Sequence, residues 1–312
     1  MTIADWLDPF LYLTIPIDVW VEQALDWLVS NYRYIFQAIK KPFHVVLTGT
    51  ENGLKSIPPL IFLIVMALLG WQAGGRKVGI IMTACFTMIG LMGAWVNAMT
   101  TLSIIMTCVI FCATMGIPIG ILAARNDRFE SILRPILDLM QTIPSFVYLI
   151  PVVMLFGIGN VPGVIVTVVY ALPPVVRLTN LGVRQVRPDM IEAAKAFGAS
   201  EIQVLRKIQI PLAMPTIMAG VNQTIMMSLS MVVVASMISV HGLGMMVLRG
   251  IGRLDMGLAT VGGIGIVLIA VAVDRFSQSF GMTRRERGHK LWYQQGPVGL
   301  ILRLISSSRR RG

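Results

Sequence analysis

The sequence predicts an all-α polytopic membrane protein with about seven transmembrane helices and an amphipathic helix near its N-terminus. Of its 312 residues, 55% are hydrophobic and only 13% are charged, whereas soluble domains carry roughly 25% charged residues. Mean hydropathy is +0.76, and the apolar runs are long enough to cross a hydrocarbon core of about 30 Å. A soluble helical protein needs polar helix faces, which most of these runs lack, so that class is excluded.

Seven apolar runs are predicted to span the membrane. They lie near residues 57–73, 78–98, 101–123, 133–157, 164–182, 212–237 and 258–279. Basic residues concentrate in the links on one side of this arrangement and in the C-terminal tail, and such residues mark the cytoplasmic side. We therefore predict an external N-terminus and a cytoplasmic C-terminus, an arrangement that requires an odd number of crossings.

Residues 1–56 are predicted to form an external amphipathic extension. From about Ile17 to Lys40, apolar residues recur on one helix face and polar residues occupy the other, which is typical of a helix lying at the membrane interface. The same pattern suits a helix packed on the protein's own surface, and the sequence does not separate the two.

Residues 281–312 are predicted to form a basic cytoplasmic tail. Net charge for the whole chain is +11, and eight of the basic residues lie in this tail. Beside a spanning helix, such charge indicates cytoplasmic orientation more often than binding to nucleic acid, so no nucleic-acid partner is expected. Attraction of the tail to anionic lipid is an alternative to a simply solvated tail.

A polar, helix-favouring segment interrupts the apolar sequence between the fifth and sixth runs. Asp189-x-x-Glu192 and Ser200-x-x-Gln203 each have the form of a capping box, which marks the start of a helix. Gly198 lies where the first helix is predicted to end in a sharp turn. The pattern therefore predicts two short helices, each with its own N-cap, in a cytoplasmic loop.

The rest of this segment suits contact with another protein. Phe197 offers an apolar anchor, and Pro211 is predicted to mark the exit into the membrane after a second helix that runs to about Gln209. The alternative to a docking surface is an ordinary amphipathic loop. A family resemblance, given next, favours the docking surface.

The segment resembles the EAA loop of ATP-binding-cassette importer permeases, whose pattern is E-A-A, then glycine, then I-x-[LI]-P. The matching residues are Glu192, Ala193, Ala194, Gly198, Ile208, Ile210 and Pro211. In that family the loop forms a coupling helix that seats in a groove of the ATPase. The resemblance covers about residues 100–280 and implies the type I importer transmembrane fold, within a permease domain of residues 57–280 whose coupling loop is residues 184–211.

The resemblance also implies the partners. Two copies of the permease would form the pore in a bacterial inner membrane, with two ATP-binding-cassette ATPases beneath them and an external substrate-binding protein above. ATP and Mg²⁺ would be bound by the ATPase, because the chain lacks a G-x-x-x-x-G-K-[ST] phosphate-binding loop. We expect neither a catalytic site nor a cofactor in this chain. His44, His241 and His289 form no H-E-x-x-H pair, so no metal site is predicted.

A narrower resemblance is to the glycine betaine/proline permeases. It rests on the N-terminal extension and on the segments QTIPSF (141–146), PPVVR (173–177) and GPVGL (296–300). It implies a compatible solute as substrate, with choline and histidine importers as alternatives. An ion-driven secondary transporter is less favoured, because it would carry acidic residues at mid-membrane, whereas Asp138 and Asp274 lie near the ends of runs. A purely structural membrane subunit also stays open.

Polar residues at membrane depth are candidates for the substrate pathway. They are Gln141, Thr142, Asn222, Gln223, Thr224, Ser228 and Ser230. Intramembrane polar groups line cavities or bond neighbouring helices, and for each of these residues bonding between helices is the favoured alternative. In the third run, Gly116 and Gly120 form a small-xxx-small pair, which predicts close contact with another helix.

Overall fold

A computed structural model of the chain describes residues 16–281 and Gly296, and within them the fold is helical throughout, without a strand. The first fifteen residues of the predicted extension lie outside the described residues. So does the basic tail beyond Gly281, apart from Gly296.

The described chain forms twelve α-helices and three short turns of other helical types. In chain order they are α1 (Ile17–Ser56), α2 (Pro59–Gly74), α3 (Arg76–Leu91), α4 (Trp95–Arg125), α5 (Asp127–Thr142), a 3₁₀ turn (Ser145–Tyr148), α6 (Leu149–Phe156), α7 (Asn160–Arg184), α8 (Pro188–Ala196), α9 (Glu201–Val204), a π-helical turn (Leu205–Gln209), α10 (Ile210–Ala235), a second 3₁₀ turn (Ser236–Ile238), α11 (Leu243–Gly252) and α12 (Met256–Gly281).

The N-terminal helix α1 is longer than the sequence pattern indicated, because it continues past Lys40 to Ser56. Pro42 lies inside it and does not end it. A proline removes one backbone hydrogen bond from a helix interior, and packing of the following turns on α4 compensates for that loss. Only Tyr32, with φ −120° and ψ 19°, departs from helical geometry.

The two halves of α1 have different surroundings. Before Lys40 almost every residue is exposed or half-buried. After it, the ring of Phe43 stacks on Phe111 of α4 with centroids 4.0 Å apart, and the hydroxyls of Thr50 and Thr107 lie 3.0 Å apart. The second half of α1 is therefore packed on the protein's own surface. For residues 17–40, where no residue is buried, the choice between a helix at the membrane interface and a packed helix stays a prediction.

The seven apolar runs all form helices, but fewer than seven of these helices are long and apolar enough to cross a membrane on their own. By length and composition, four described helices can each span a membrane: α4, α7, the continuous unit Glu201–Ile238, and α12. Two bent pairs, α1 with α2 and α5 with α6, raise the number to six if each pair counts as one span. Helices α2 and α3 have 16 residues each and are about 24 Å long, which is shorter than the hydrocarbon core.

The fourth run, predicted as one span over 133–157, is instead broken by a bend of 104° between α5 and the segment Ser145–Phe156. The break lies at Ile143, whose φ of −69° and ψ of 127° are extended. Its neighbour Pro144 causes this, because a proline ring disfavours helical geometry in the preceding residue.

Helices α4, α7 and α10 meet at the centre of the bundle through glycines. A Cβ atom on Gly120 of α4 would lie 2.7 Å from the carbonyl oxygen of Val176 in α7, and one on Gly116 would lie 2.4 Å from Cγ1 of Val175. From the other side, a Cβ on Gly220 of α10 would lie 3.1 Å from Cα of Val175. The predicted close contact of the small-xxx-small pair is confirmed, and α7 is its partner.

The bundle has two ends: the coupling end, next to residues 184–211, and the far end opposite to it. At the coupling end, where α4 and α7 finish, the Arg184 guanidinium donates to the carbonyl of Ala123 at 2.9 Å. At the far end, the N–H of Leu243 donates to the hydroxyl of Thr101 at 2.9 Å, and Asn160 accepts from the N–H of His241 at 2.8 Å. These contacts hold α11 against the beginnings of α4 and α7.

Substitution of Gly120 by Ala tests the central contact. We expect Gly120→Ala to lower the free energy of unfolding by about 1–3 kcal/mol, because the added methyl overlaps the α7 backbone. Gly263→Ala in α12 is the matched control, since a Cβ there meets nothing within 4 Å and alanine favours a helix by up to about 1 kcal/mol over glycine. Thermal unfolding of both purified variants measures the difference, and equal midpoints would contradict the packing described.

Candidate functional site: the coupling loop

The first helix of the coupling loop, α8, ends in a Schellman motif. The N–H of Ala199 donates to the carbonyl of Ala194 at 3.1 Å, and that of Gly198 donates to the carbonyl of Lys195 at 2.9 Å, which are the two bonds that define this motif. Gly198 has φ +78°, and a Cβ there would meet nothing within 4 Å. Backbone conformation, and not lack of space, therefore requires glycine, as the sequence predicted.

The start of α8 differs from the prediction, because Asp189-x-x-Glu192 does not form a capping box. The N-cap is Arg187, no side chain caps it, and Pro188 is the first helical residue. Proline is pre-organised for that position, so the helix begins one residue before Asp189. The Asp189 carboxylate accepts from the Arg187 guanidinium instead, at 2.6 and 3.2 Å.

The second helix, α9, has the predicted capping box. The N–H of Gln203 donates to the Ser200 hydroxyl at 3.4 Å, and the N–H of Ser200 donates to the Gln203 side chain at 2.8 Å. Across the turn, the Lys195 ammonium lies 2.7 Å from the Glu201 carboxylate. This hydrogen-bonded ion pair lowers the pKa of Glu201 and links α8 to α9.

The second helix does not stop near Gln209, as predicted, but continues into the membrane. A π-helical turn over Leu205–Gln209 joins α9 to α10, so that Glu201–Ile238 forms one unit of 38 residues. Pro211 has no N–H for the carbonyl four residues earlier, and a wider turn before it accommodates that missing bond. The second helix of the coupling loop and the centre of the bundle therefore belong to one continuous helix.

The outer surface of the loop carries exposed apolar side chains. Phe197 is 93% exposed, Ile202 is 59% exposed, and α8 contains no buried residue. Of the motif residues, Glu192, Ala193 and Pro211 are exposed, and Ala194, Ile208 and Ile210 are half-buried. A phenylalanine held in solvent by a rigid turn contributes little to the packing of the described residues. Such residues mark contact sites for partners.

Two candidate pathway residues bond neighbouring helices. The Thr224 hydroxyl is buried and donates to the carbonyl of Ala171 in α7 at 2.9 Å. Ser228, also buried, lies 3.1 Å from the thiol of Cys108 in α4. Both side chains are thus occupied in joining α10 to its neighbours.

Asn222 likewise joins α10 to α12. Its amide nitrogen lies 3.3 Å from the Asp274 carboxylate, and its amide oxygen accepts from the Ser277 hydroxyl. The bond lies near the middle of α10, whose 26 residues run from Ile210 to Ala235. Helix α12 runs from the far end, where a Cβ on Gly265 would lie 3.0 Å from the Leu243 side chain, towards the coupling end.

The remaining candidates lie on open surfaces. Gln223 and Ser230 are exposed on one face of α10, together with Met226. At the bend after α5, Gln141 is half-buried, and Thr142 is exposed and donates to the carbonyl of Leu139 at 3.1 Å. The role of all seven candidates in the pathway stays a prediction, and the structure divides them into bonded and open groups.

An ion-pair cluster at the coupling end was not foreseen from the sequence. The Arg184 guanidinium lies 2.7 Å from the carboxylate of Asp127 and 3.1 Å from that of Glu130, and Arg177 lies 2.6 Å from Asp138. These pairs line a cleft of about 380 Å³ between α5 and α7. The acidic residues of α5 and the basic residues that end α7 were the available signal, but only the fold places them opposite each other.

Comparison with known proteins identifies the family from the sequence, and a similar fold among solved structures. The family described as "Binding-protein-dependent transport system inner membrane component" matches residues 116–281. The "Glycine betaine/proline betaine transport system permease protein ProW" of Escherichia coli (strain K12) is 55% identical over 297 residues, which cover 95% of this chain and 84% of that protein. The "Glycine betaine transport system permease protein OpuAB" of Bacillus subtilis (strain 168) is 39% identical over 275 residues, covering 88% and 98%.

Among solved structures, the fold is similar to a chain of the "MetNI methionine ABC transporter" in an inward-facing conformation. The TM-score is 0.52 at 21% identity, and the match covers 61% of this chain and 93% of that chain. This likeness concerns the fold alone, and it confirms the predicted type I importer transmembrane fold.

Proposed function

Because the chain belongs to the family of binding-protein-dependent transport system inner membrane components, we propose that it couples ATP hydrolysis by a partner to import of a compatible solute of the glycine betaine or proline betaine type. It is a multi-pass inner-membrane permease, and its family implies an ATPase and a substrate-binding protein as partners. The observation that carries the mechanism is the exposed coupling loop, whose capped second helix, α9, continues without a break into α10.

The coupling loop suits a groove in an ATPase subunit. Phe197 would fill the groove, while Gly198 and the Ser200 capping box hold the loop in one shape. In this proposal ATP and Mg²⁺ bind to the ATPase, and this chain, which lacks a phosphate-binding loop in its sequence, contributes no catalytic group. Movement of the docked loop would pass directly along α9 and α10 to the bundle centre.

The open polar face of α10 supports a homodimer. Gln223 and Ser230 are exposed at the level of the membrane, and polar side chains are costly against lipid. A second copy of the chain, with a water-filled pathway between the two, removes that cost. Gln223 and Ser230, with Gln141 and Thr142, are therefore the pathway residues that we propose.

The proposed orientation has the coupling loop and the C-terminus in the cytoplasm, where the ATPase and its nucleotide are. Helix α12 finishes at the coupling end, so the C-terminal tail begins there. The N-terminus is proposed to be external, as the charge distribution predicts. A phosphatase or a fluorescent protein fused to each terminus checks both assignments, and phosphatase activity of a C-terminal fusion would overturn the orientation.

Substitution of Phe197 by Ser tests docking. The side chain is 93% exposed, so we expect normal folding but at least about tenfold weaker association with the ATPase, the loss typical of an interface anchor. Tyr34→Ser, at a residue of α1 that is 70% exposed, controls for removal of an exposed aromatic ring. Co-purification of the ATPase and substrate-stimulated hydrolysis are measured, and wild-type values for Phe197→Ser would refute docking through this residue.

Uptake into vesicles that contain the permease, the ATPase and the binding protein tests the cargo. We expect saturable, ATP-dependent uptake of glycine betaine and proline betaine. Gln223→Leu should reduce it several-fold with the ATPase still bound, whereas Met226→Leu on the same face should not, because it removes no polar group. Uptake restricted to choline or histidine would change the assigned substrate, and uptake driven by an ion gradient without ATP would contradict the mechanism.

A further inference from the structure

A groove of about 720 Å³ runs along the outer side of α2 and α3, away from the coupling loop and the pathway candidates. Its walls are mainly apolar and are formed by Ala67, Trp71, Gly79, Ile80, Ala84 and Met88. The groove is open to the side, since Ile80 is 68% exposed and Met88 is 49% exposed. Its size is within the range of small-molecule sites in proteins, about 300–1,000 Å³.

The groove faces hydrocarbon and not water. Helix α2 carries no charged residue along its 16 positions, and its exposed side chains are large and apolar, including Leu60 at 71% and Ile64 at 53% exposure. A helix of this composition that keeps such side chains exposed is in contact with lipid. The two helices touch closely along the groove, because a Cβ on Gly79 would lie 2.7 Å from the carbonyl oxygen of Ala67.

One end of the groove is positively charged. The Arg76 guanidinium lies 5.4 Å from the centre of the Trp71 ring, and Lys77 follows it; both side chains are exposed. The first turn of α3 contains no acidic residue, and neither cation takes part in an ion pair with a described residue. The charged end is at the coupling end of the bundle, beside the contact between Gly74 and Ser279.

Gly296 also lies at this end of the groove. A Cβ on Gly296 would lie 2.7 Å from the side-chain oxygen of Gln72, the residue next to Trp71. In sequence, Gly296 lies between the basic residues Lys290 and Arg303. The described cations at this end, Arg76 and Lys77, thus favour a negatively charged group.

We propose that this groove binds an anionic glycerophospholipid. One acyl chain lies along Ile80, Ala84 and Met88, and the phosphate is held by Arg76 and Lys77, while Trp71 packs at the level of the headgroup. A zwitterionic lipid fits less well, because its ammonium group would meet two cations and no carboxylate among the described residues that line the groove. Basic pockets between membrane helices bind anionic headgroups in this way, and each basic residue contributes about 1 kcal/mol.

Quenching of Trp71 by brominated lipid tests the proposal in the purified full-length permease. The probes are dibromo-phosphatidylglycerol and dibromo-phosphatidylcholine, and the signal of Trp71 is the difference from the Trp71→Phe variant. We expect the anionic probe to quench Trp71 at a several-fold lower mole fraction than the zwitterionic probe. Arg76→Gln should weaken this preference about fivefold, the factor that about 1 kcal/mol corresponds to.

Two further variants separate the groove from general electrostatics. Arg253→Gln removes an exposed cation from the turn between α11 and α12 and should leave the quenching unchanged. Ala84→Phe fills the acyl wall and should reduce quenching by the anionic probe without a change of charge. Equal quenching of Trp71 by both probes, or an Arg76→Gln variant that keeps the full preference, would overturn the proposal.

Discussion

The close contact of α4, α7 and α10 is the constraint on which the rest of the structure depends. Gly116 and Gly120 allow the α7 backbone to approach α4, and Gly220 does the same for α10. In a membrane, where helices gain little from the hydrophobic effect, such close packing and hydrogen bonds between helices supply the association energy. The bond from Thr224 to the carbonyl of Ala171 is possible because these backbones are so near.

The ion pairs at the coupling end join helices α4, α5 and α7, in addition to the glycine contacts at the centre of the bundle. Arg184 connects the end of α7 to α5 through Asp127 and Glu130, and to the last turns of α4 through a backbone carbonyl. Each pair is partly exposed and contributes modestly by itself. Together they fix the position of the first turns of α5. The bend at Pro144 then directs α6 back against α1, and it leaves Gln141 near the open side of the bundle.

Local signals in the sequence predicted local structure well, and failed where two signals competed or where distant contacts decided. The Ser200 capping box and the turn at Gly198 depend on a few neighbouring residues, and both were predicted. At Asp189 the proline before it determined where the helix starts. In the run over 133–157, Pro144 was a sign of interruption, but spanning helices also tolerate proline, so the sequence did not distinguish a kinked span from a sharp bend. The ion pairs between α5 and α7 depend on a fold that joins residues about 50 positions apart.

The continuity of α9 with α10 determines how movement of the coupling loop reaches the centre of the bundle. A hinge between them would absorb displacement of the loop, but a π-helical turn keeps the hydrogen-bonded backbone intact. Displacement of Phe197 passes to α9 across the turn at Gly198, through the ion pair of Lys195 with Glu201. From α9 it reaches Gly220 and the exposed face that carries Gln223 along one helix. At that depth, glycine contacts hold α10 to α7, and a hydrogen bond from Asn222 holds it to α12. A shifted helix can exchange these contacts for others while the core stays packed. Such discrete repacking, and not gradual deformation, is how close-packed helices change state.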